Sequence, residues 1–262
     1  MAWSKMQTGI VVGAVVLLTA GTTTVAVKEI QEHRTYPWQI PDHDSRVLDR
    51  QPPQVRILPS KIKFESWGSN GDKYGNMKFM GTGVSAETIL LAAYHFDSLS
   101  RTVGSGLLPE AKYDYIACLP KGNEEALKKE IKRKFGVTAR IETQEQDVLL
   151  LKVKTPDAPD LKPSKPNSQF GPSTRDDGPG SWSCENSPIS SLAAYLEDYL
   201  RIPIVDQTGL ADHFDITLKW KQSNWGENNP DELKKAVLDQ AGFDLVPGRE
   251  PVEMLIVEKA DN

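Results

Sequence analysis

The sequence predicts an α+β protein with an N-terminal transmembrane helix followed by two similar small βαββαβ-type repeats. Residues 125–153 align without a gap with residues 231–259, at a constant offset of 106, and residues 6–27 carry no charge. In both aligned stretches an amphipathic helix, a stop glycine (Gly136 or Gly242) and an apolar strand recur in one register. Chance seldom reproduces such a series, so we expect two copies of one unit, with helices packed on one face of small sheets.

The uncharged run at residues 6–27 is about as long as a bilayer core requires. It is interpreted as an uncleaved membrane anchor or as a cleaved signal peptide, and the sequence leaves both open. Either form predicts a location in the bacterial cell envelope, at the inner membrane with the soluble part in the periplasm. The charges on the two flanks nearly balance, so they fix the orientation weakly. Residues 28–54 contain four prolines and are predicted to form a stalk.

The first repeat is predicted over residues 55–154. A short strand leads into a helix capped by Ser85, and Gly136 stops a second helix whose apolar residues recur at i, i+4 and i+8. The predicted later elements are strand Tyr113–Leu119, helix Glu124–Phe135, and strands Val137–Thr143 and Val148–Lys154 joined by a polar turn.

Residues 155–180 contain six prolines and are predicted to be a linker. The second repeat follows over residues 181–262 and starts its first helix at Ser187-Pro188. Its later predicted elements are short strand Ile204-Val205, strand Phe214–Trp220, helix Pro230–Ala241, and strands Phe243–Pro247 and Pro251–Lys259.

Composition argues against several classes of partner and site. The net charge of −5 gives no overall attraction for nucleic acid, so no nucleic-acid partner is expected. The two cysteines are too few for a disulfide framework or a structural zinc site. Cys118 and Cys184 are interpreted either as buried thiols or as one bridge between the repeats. Trp182, Trp220 and Trp225 are interpreted as core anchors or as an exposed binding patch.

Motifs for catalysis are weak. Residues 81–86 (GTGVSA) resemble the phosphate-binding turn of dinucleotide-binding folds, but no parallel strand ending in an acidic residue follows. The four histidines lie far apart, and no nucleophile–base motif is present in the sequence. We therefore predict no enzyme activity, no cofactor and no metal site.

The segment Asp206–Leu210 is the strongest local candidate. Asp-x-Thr-Gly resembles loops that carry an aspartic nucleophile, but the first repeat lacks a second carboxylate with which Asp206 could share a proton. We instead expect Asp206 and Thr208 to bond the turn backbone while Gly209 takes a positive φ. The candidate turn or interaction surface comprises Asp206, Thr208, Gly209, Leu210 and Asp215.

Residues 203–210 (PIVDQTGL), the pair Phe214-Asp215 and residues 248–259 (GREPVEMLIVEK) form a recognisable series. With them, from about Lys73 to the end, the chain resembles a soil-associated bacterial family of unknown function that has many paralogues in Acidobacteria and Verrucomicrobia. Residues 211–213 depart from that pattern. More distantly, the element order is similar to the short N-terminal domain of secretins and TonB-dependent receptors. That similarity implies an extracytoplasmic module for protein contacts.

These observations predict a non-catalytic, membrane-tethered, extracytoplasmic interaction module. Its partner is expected to be a protein that meets exposed strand edges, with residues 6–27 contacting the membrane. The alternatives are an envelope hydrolase with an unrecognised active site and a cytoplasm-facing regulatory domain.

Overall fold

The structure is a computed structural model that describes residues 36–39, 45–71, 75–156, 158, 161–164, 172–224 and 227–261. Among these described residues, strand outweighs helix, 43% against 26%. The described residues form three four-stranded sheets and four α-helices.

Eight elements occur in the same order in each copy of the repeat. The first copy holds β1 (Val55–Pro59), β2 (Ser66–Gly71), β3 (Met77–Ser85), α1 (Ala86–Tyr94), β4 (Thr102–Val103), β5 (Lys112–Ala117), α2 (Asn123–Phe135) and β6 (Val137–Val153). The second holds β7 (Lys162–Pro163), β8 (Ser173–Gly178), β9 (Ser181–Pro188), α3 (Ile189–Leu200), β10 (Ile204–Asp206), β11 (His213–Lys219), α4 (Pro230–Ala241) and β12 (Phe243–Lys259).

The chain divides into two compact units. The first comprises the described residues up to Tyr94 together with 108–136, and the second comprises 95–107 and the described residues from Val137 on. The first unit contains one sheet, in the order β1-β5-β3-β2. The second contains two, in the orders β7-β11-β9-β8 and β10-β6-β12-β4. Strand for strand, β1-β5-β3-β2 corresponds to β7-β11-β9-β8.

Helices α2 and α4 end in the same way and bury the same positions. Gly136 (φ 68°) and Gly242 (φ 72°) follow them in the left-handed conformation, and each donates its N–H back to the last turn. Leu127 and Leu233 are fully buried and are related by the offset of 106. The same offset relates Ile131 and Val237, each of which is at most 1% exposed. The predicted equivalence of these core positions is confirmed.

The predicted pair of short strands after each of these helices is wrong. β6 and β12 are each 17 residues long and pair antiparallel over their whole length, from Val137 opposite Lys259 to Val153 opposite Phe243. No glycine, proline or asparagine interrupts residues 142–147, so nothing favours a turn there. At the centre Glu145 faces Pro251, its own counterpart in the repeat. The two strands are therefore related by a local twofold axis.

The predicted fold class, two separate small repeats behind a transmembrane helix, is contradicted. The last strand of each copy joins a third sheet, where β4 of the first copy pairs parallel with β12 and β10 of the second pairs parallel with β6. Each short strand thus pairs alongside the long strand of the other copy. This exchange involves residues far apart in sequence, which local patterns do not report.

The predicted transmembrane helix finds no support. Among the residues that the structure describes, no helix is long and apolar enough to span a membrane. Residues 6–27, on which the prediction rested, lie outside them.

Parts of the predicted stalk and linker contribute to the folded units. Trp38 and Leu48, in the range assigned to the stalk, are fully buried beside Leu58, Met80 and Ile116. The range assigned to the linker contains β7 and β8.

The core of the second unit lies between β9, β11, α3, α4 and the final third of β6. Its largest fully buried side chains include Phe243, Leu151 and Ile189. Trp182 is 2% exposed in this cluster, and Trp220 packs against it. Trp225 lies outside the described residues. Cys118 and Cys184 are both buried and free.

Candidate functional site

In each repeat an aspartate, Asp114 or Asp215, holds the same β-bulge. In the first copy the bulge lies between Gly81 and Val84 of β3, and in the second between Cys184 and Ser187 of β9. Asp114 Oδ1 accepts a hydrogen bond from the amide of Gly83 (2.9 Å, φ 66°). By the same arrangement, Asp215 Oδ1 accepts one from the amide of Asn186 (2.8 Å, φ 47°).

This bulge accounts for two motifs that the sequence singled out. The stretch resembling a phosphate-binding turn is the bulge of β3, where the Gly83 amide already bonds Asp114. Asp215, a predicted interaction residue, also accepts a hydrogen bond from Ser164 Oγ at 2.7 Å. These two contacts join β11 to β9 and to the residue that follows β7.

The turn after β10 has the predicted geometry. Asp206 Oδ1 accepts hydrogen bonds from the amide of Thr208 (2.9 Å) and from its hydroxyl (2.7 Å). The amide of Leu210 donates to Thr208 Oγ1 at 3.2 Å, and Gly209 has φ 70°. A partner-binding role for this turn stays a prediction.

A cavity of 430 Å³ opens in the second unit beside this turn. Segment 95–101, helix α3, strand β10 and Glu253 of β12 form its walls. Asp206 lies in the wall, whereas Thr208, Gly209, Leu210 and Asp215 do not line it. The structure therefore separates the five predicted residues rather than gathering them in one site.

A buried ion pair, missed from sequence, lies in the wall of the cavity. Glu197 of α3 is 5% exposed and receives two hydrogen bonds from Arg101, at 2.8 Å from Nε and 2.7 Å from Nη2. The amide of Ile204 (2.9 Å) and the hydroxyls of Ser98 and Ser100 complete its partners. Burial raises the pKa of Glu197, but the hydrogen bonds from Arg101, Ile204 and the serines outweigh it, so the pKa is lowered.

One sequence signal points to Glu197. It lies four residues after Ala193, at the edge of the apolar stripe of α3, where a carboxylate requires a buried partner. The identity of that partner, Arg101 almost a hundred residues upstream, is not readable from local patterns.

The hydrogen bonds of Arg101 hold neighbouring segments together. Arg101 is committed to Glu197 and also donates to the carbonyl of Ile204 at 2.9 Å. These bonds tie segment 98–101, which precedes β4, to helix α3. Within the described ranges, no group of three or more histidine, cysteine or carboxylate side chains is placed to hold a metal ion.

The most exposed large apolar side chains of the described residues lie at the edge of the first unit. Phe64 is 80% exposed and Trp67, on edge strand β2, is 69% exposed. Strand β2 (Ser-Trp-Gly-Ser-Asn-Gly) carries no charge and pairs with β3 in an unbroken register. For the part of the chain described, no backbone hydrogen bond joins β2 to any segment other than β3.

The equivalent edge of the second copy differs in character. Strand β8 contains Arg175, Asp176 and Asp177, all exposed, and a bulge interrupts its pairing with β9. Trp67 lies opposite Gly81, and Thr174 lies opposite Cys184, the counterpart of Gly81 at the bulge. Thr174 thus occupies the place of Trp67. Charges and bulges prevent an edge from accepting another strand, so β8 is protected and β2 is open.

Residues 87–260 match the family described as "Protein of unknown function (DUF3738)". The chain belongs to this family. The predicted membership of a family of unknown function is confirmed. The likeness to secretins and TonB-dependent receptors finds no support, and neither does the link to soil bacteria. No curated protein and no solved structure matches this DUF3738 chain. The matched range begins in α1, so β2 precedes it.

Proposed function

We propose that this protein is a non-catalytic binding module that captures an extended segment of a protein partner along β2. The observation that carries the proposal is the contrast between equivalent edges. β2 is uncharged and presents Trp67, whereas β8 presents three charges and a bulge. The comparison is possible because the fold is duplicated, so that β2 and β8 are the edge strands at the same position of two corresponding sheets.

The physical basis is strand addition. An extended peptide laid along β2 pairs its backbone with the N–H and C=O groups that the strand directs away from β3, which supplies affinity without sequence preference. Trp67 and Phe64 add apolar area that is otherwise left in water, and tryptophan is over-represented among the residues that dominate interface energies.

The side chains near β2 indicate what the partner segment contains. Successive strand residues point to opposite faces, so apolar residues at alternate positions would meet Trp67 on one face. Lys61 and Lys63 are exposed just before β2, and Glu65, which lies between them and the strand, is paired with Lys112. An acidic residue at that end of the segment would therefore gain a modest ionic contact. We therefore expect an alternating apolar segment with an acidic flank.

A peptide selection tests this proposal. Random peptides displayed on phage would be selected against the full chain, and binding of the selected peptides would be measured by calorimetry. Trp67→Thr installs the residue found at the equivalent position of β8. It should weaken binding about tenfold or more, because loss of a central tryptophan costs at least about 1.4 kcal/mol.

The matched control is Ile141→Thr, which removes an apolar side chain that is 46% exposed on strand β6. It should leave peptide affinity unchanged. Selected peptides that bind Trp67→Thr as tightly as the parent chain would contradict the proposal. So would peptides that lack alternating apolar residues.

The cell envelope remains the proposed location. Fractionation of cells that produce the full chain tests it, and recovery of the protein in the cytoplasmic fraction would contradict it.

A further inference from the structure

We propose that β2 also pairs with the β2 of a second copy of this chain, antiparallel and about a twofold axis. The product is a closed homodimer in which each chain covers the edge of the other until a partner segment replaces it. This inference rests on the proposed function, because both treat β2 as an edge that accepts a strand.

The first argument is that β2 lacks the usual protection of an exposed edge. Charged residues, prolines and bulges normally keep such an edge from pairing without limit, and β2 has none of them. Trp67, at 69% exposure, adds apolar area to that edge. Pairing about a twofold axis covers both edges at once and leaves no further edge of the same kind, so the assembly stops at two chains.

The second argument is that β2 is compatible with itself. Antiparallel self-pairing sets residues of one strand opposite residues of its own sequence, and like charges placed opposite each other repel. β2 has no charge to repel. The same pairing of β8 would bring the aspartates 176 and 177 of two chains together.

The third argument fixes the register. With Trp67 on the axis, the two indoles face each other, and aromatic pairs are among the most stabilising cross-strand contacts. Within β2 the flanking residues are then compatible, because Ser66 faces Gly68. No like charges are opposed in this register.

The fourth argument comes from the fold itself. β6 and β12, the same element of the two copies, already pair antiparallel about a local twofold axis at Glu145 and Pro251. Copies of this repeat therefore associate by antiparallel strand pairing within one chain. The proposed dimer uses the same mode between chains, at a different strand.

Sedimentation velocity of the full chain across a range of concentrations tests the dimer. The parent chain and Ile141→Thr should both form dimers, whereas Trp67→Thr should associate at least tenfold more weakly. Ile141 provides the control because it is also a partly exposed apolar side chain on a strand. A parent chain that stays monomeric, or a Trp67→Thr variant that dimerises equally well, would overturn the inference.

Disulfide trapping tests the register independently. A cysteine at position 67 lies on the axis and faces its own copy at a distance that a disulfide spans. A cysteine at position 69 lies off the axis, about four residues from its own copy, or roughly 13 Å. At a protein concentration raised enough to offset the weaker association expected without the indole, Trp67→Cys should form a linked dimer under mild oxidation and Ser69→Cys should not. Equal linkage of both variants would contradict the twofold register.

The two proposals fail in different ways. Peptide binding that depends on Trp67 in a chain that remains monomeric would refute the dimer and leave the binding function intact. A dimer that depends on Trp67, in a chain for which no peptide can be selected, would refute capture of a separate partner and leave the self-pairing in place.

Discussion

At the scale of single residues, Glu197 shows how a buried charge is tolerated. Its carboxylate is 5% exposed and receives hydrogen bonds from Arg101, two serine hydroxyls and the Ile204 amide. Taking a carboxylate out of water is costly unless such partners replace the water. The pair therefore fixes segment 98–101 against α3, although it adds less net stability than its number of bonds suggests.

Glu197→Gln should lower the free energy of unfolding by about 2–3 kcal/mol, since it leaves the guanidinium of Arg101 without a counter-charge. This loss of stability is smaller than is usual for a broken buried ion pair, because the Arg101 side chain is 25% exposed to water. Urea denaturation measures the change. A loss below about 0.5 kcal/mol would show that the pair behaves as a surface ion pair.

The same variant predicts a pH dependence. The pKa of Glu197 is lowered in the folded state, so its ionised form contributes stability above the ordinary glutamate pKa of about 4.3. That contribution is lost as pH falls through the lowered pKa. The stability gap between the parent chain and Glu197→Gln should be constant from about pH 6 to 8 and shrink below about pH 4. A gap that widens on acidification would contradict this sign.

At the scale of elements, the helix–glycine–strand series could be read from sequence, and the partners of its strands could not. Spacing of apolar residues and the position of Gly136 and Gly242 located α2 and α4 closely. The 17-residue strands were divided wrongly, because a polar stretch in a strand exposed to water resembles a turn. The predicted short strand Ile204-Val205 corresponds to β10, whereas the two residues of β4 leave no pattern. The pairing of both strands crosses between the copies, which sequence does not show.

The candidate site was predicted less well than the helices. The turn at Asp206 was recognisable because Asx-type hydrogen bonds and a positive-φ glycine are encoded within four residues. Trp67 was not singled out, because its exposure depends on β2 being the last strand of its sheet. Edge position is a property of strand order, which depends on long-range pairing.

Leu127→Ala and Leu233→Ala test the equivalence of α2 and α4. Both side chains are fully buried, so each substitution should cost about 2–5 kcal/mol from lost burial and the cavity left behind. Thermal or urea unfolding measures the cost. A near-neutral effect at one position and a large one at the other would show that the two helices play different parts.

At the scale of the whole molecule, the two copies share the features that hold the fold and differ at their sheet edges. Both copies keep the bulge with its aspartate, the glycine-stopped helix and the long strand, which are the features that hold the fold. The copies differ at their sheet edges, where β2 is uncharged and β8 is charged. Residues at such an edge contribute little to the core, which is compatible with the proposed binding function.

Hydrogen exchange on the full chain, with and without a selected peptide, tests the central claim most directly. Exchange slows where amides become hydrogen-bonded or buried, so a peptide added to β2 should protect amides within residues 66–71 and leave α3 and segment 95–101 unchanged. Protection centred on the cavity around Glu197, with β2 exchanging as fast as in the free chain, would contradict the account.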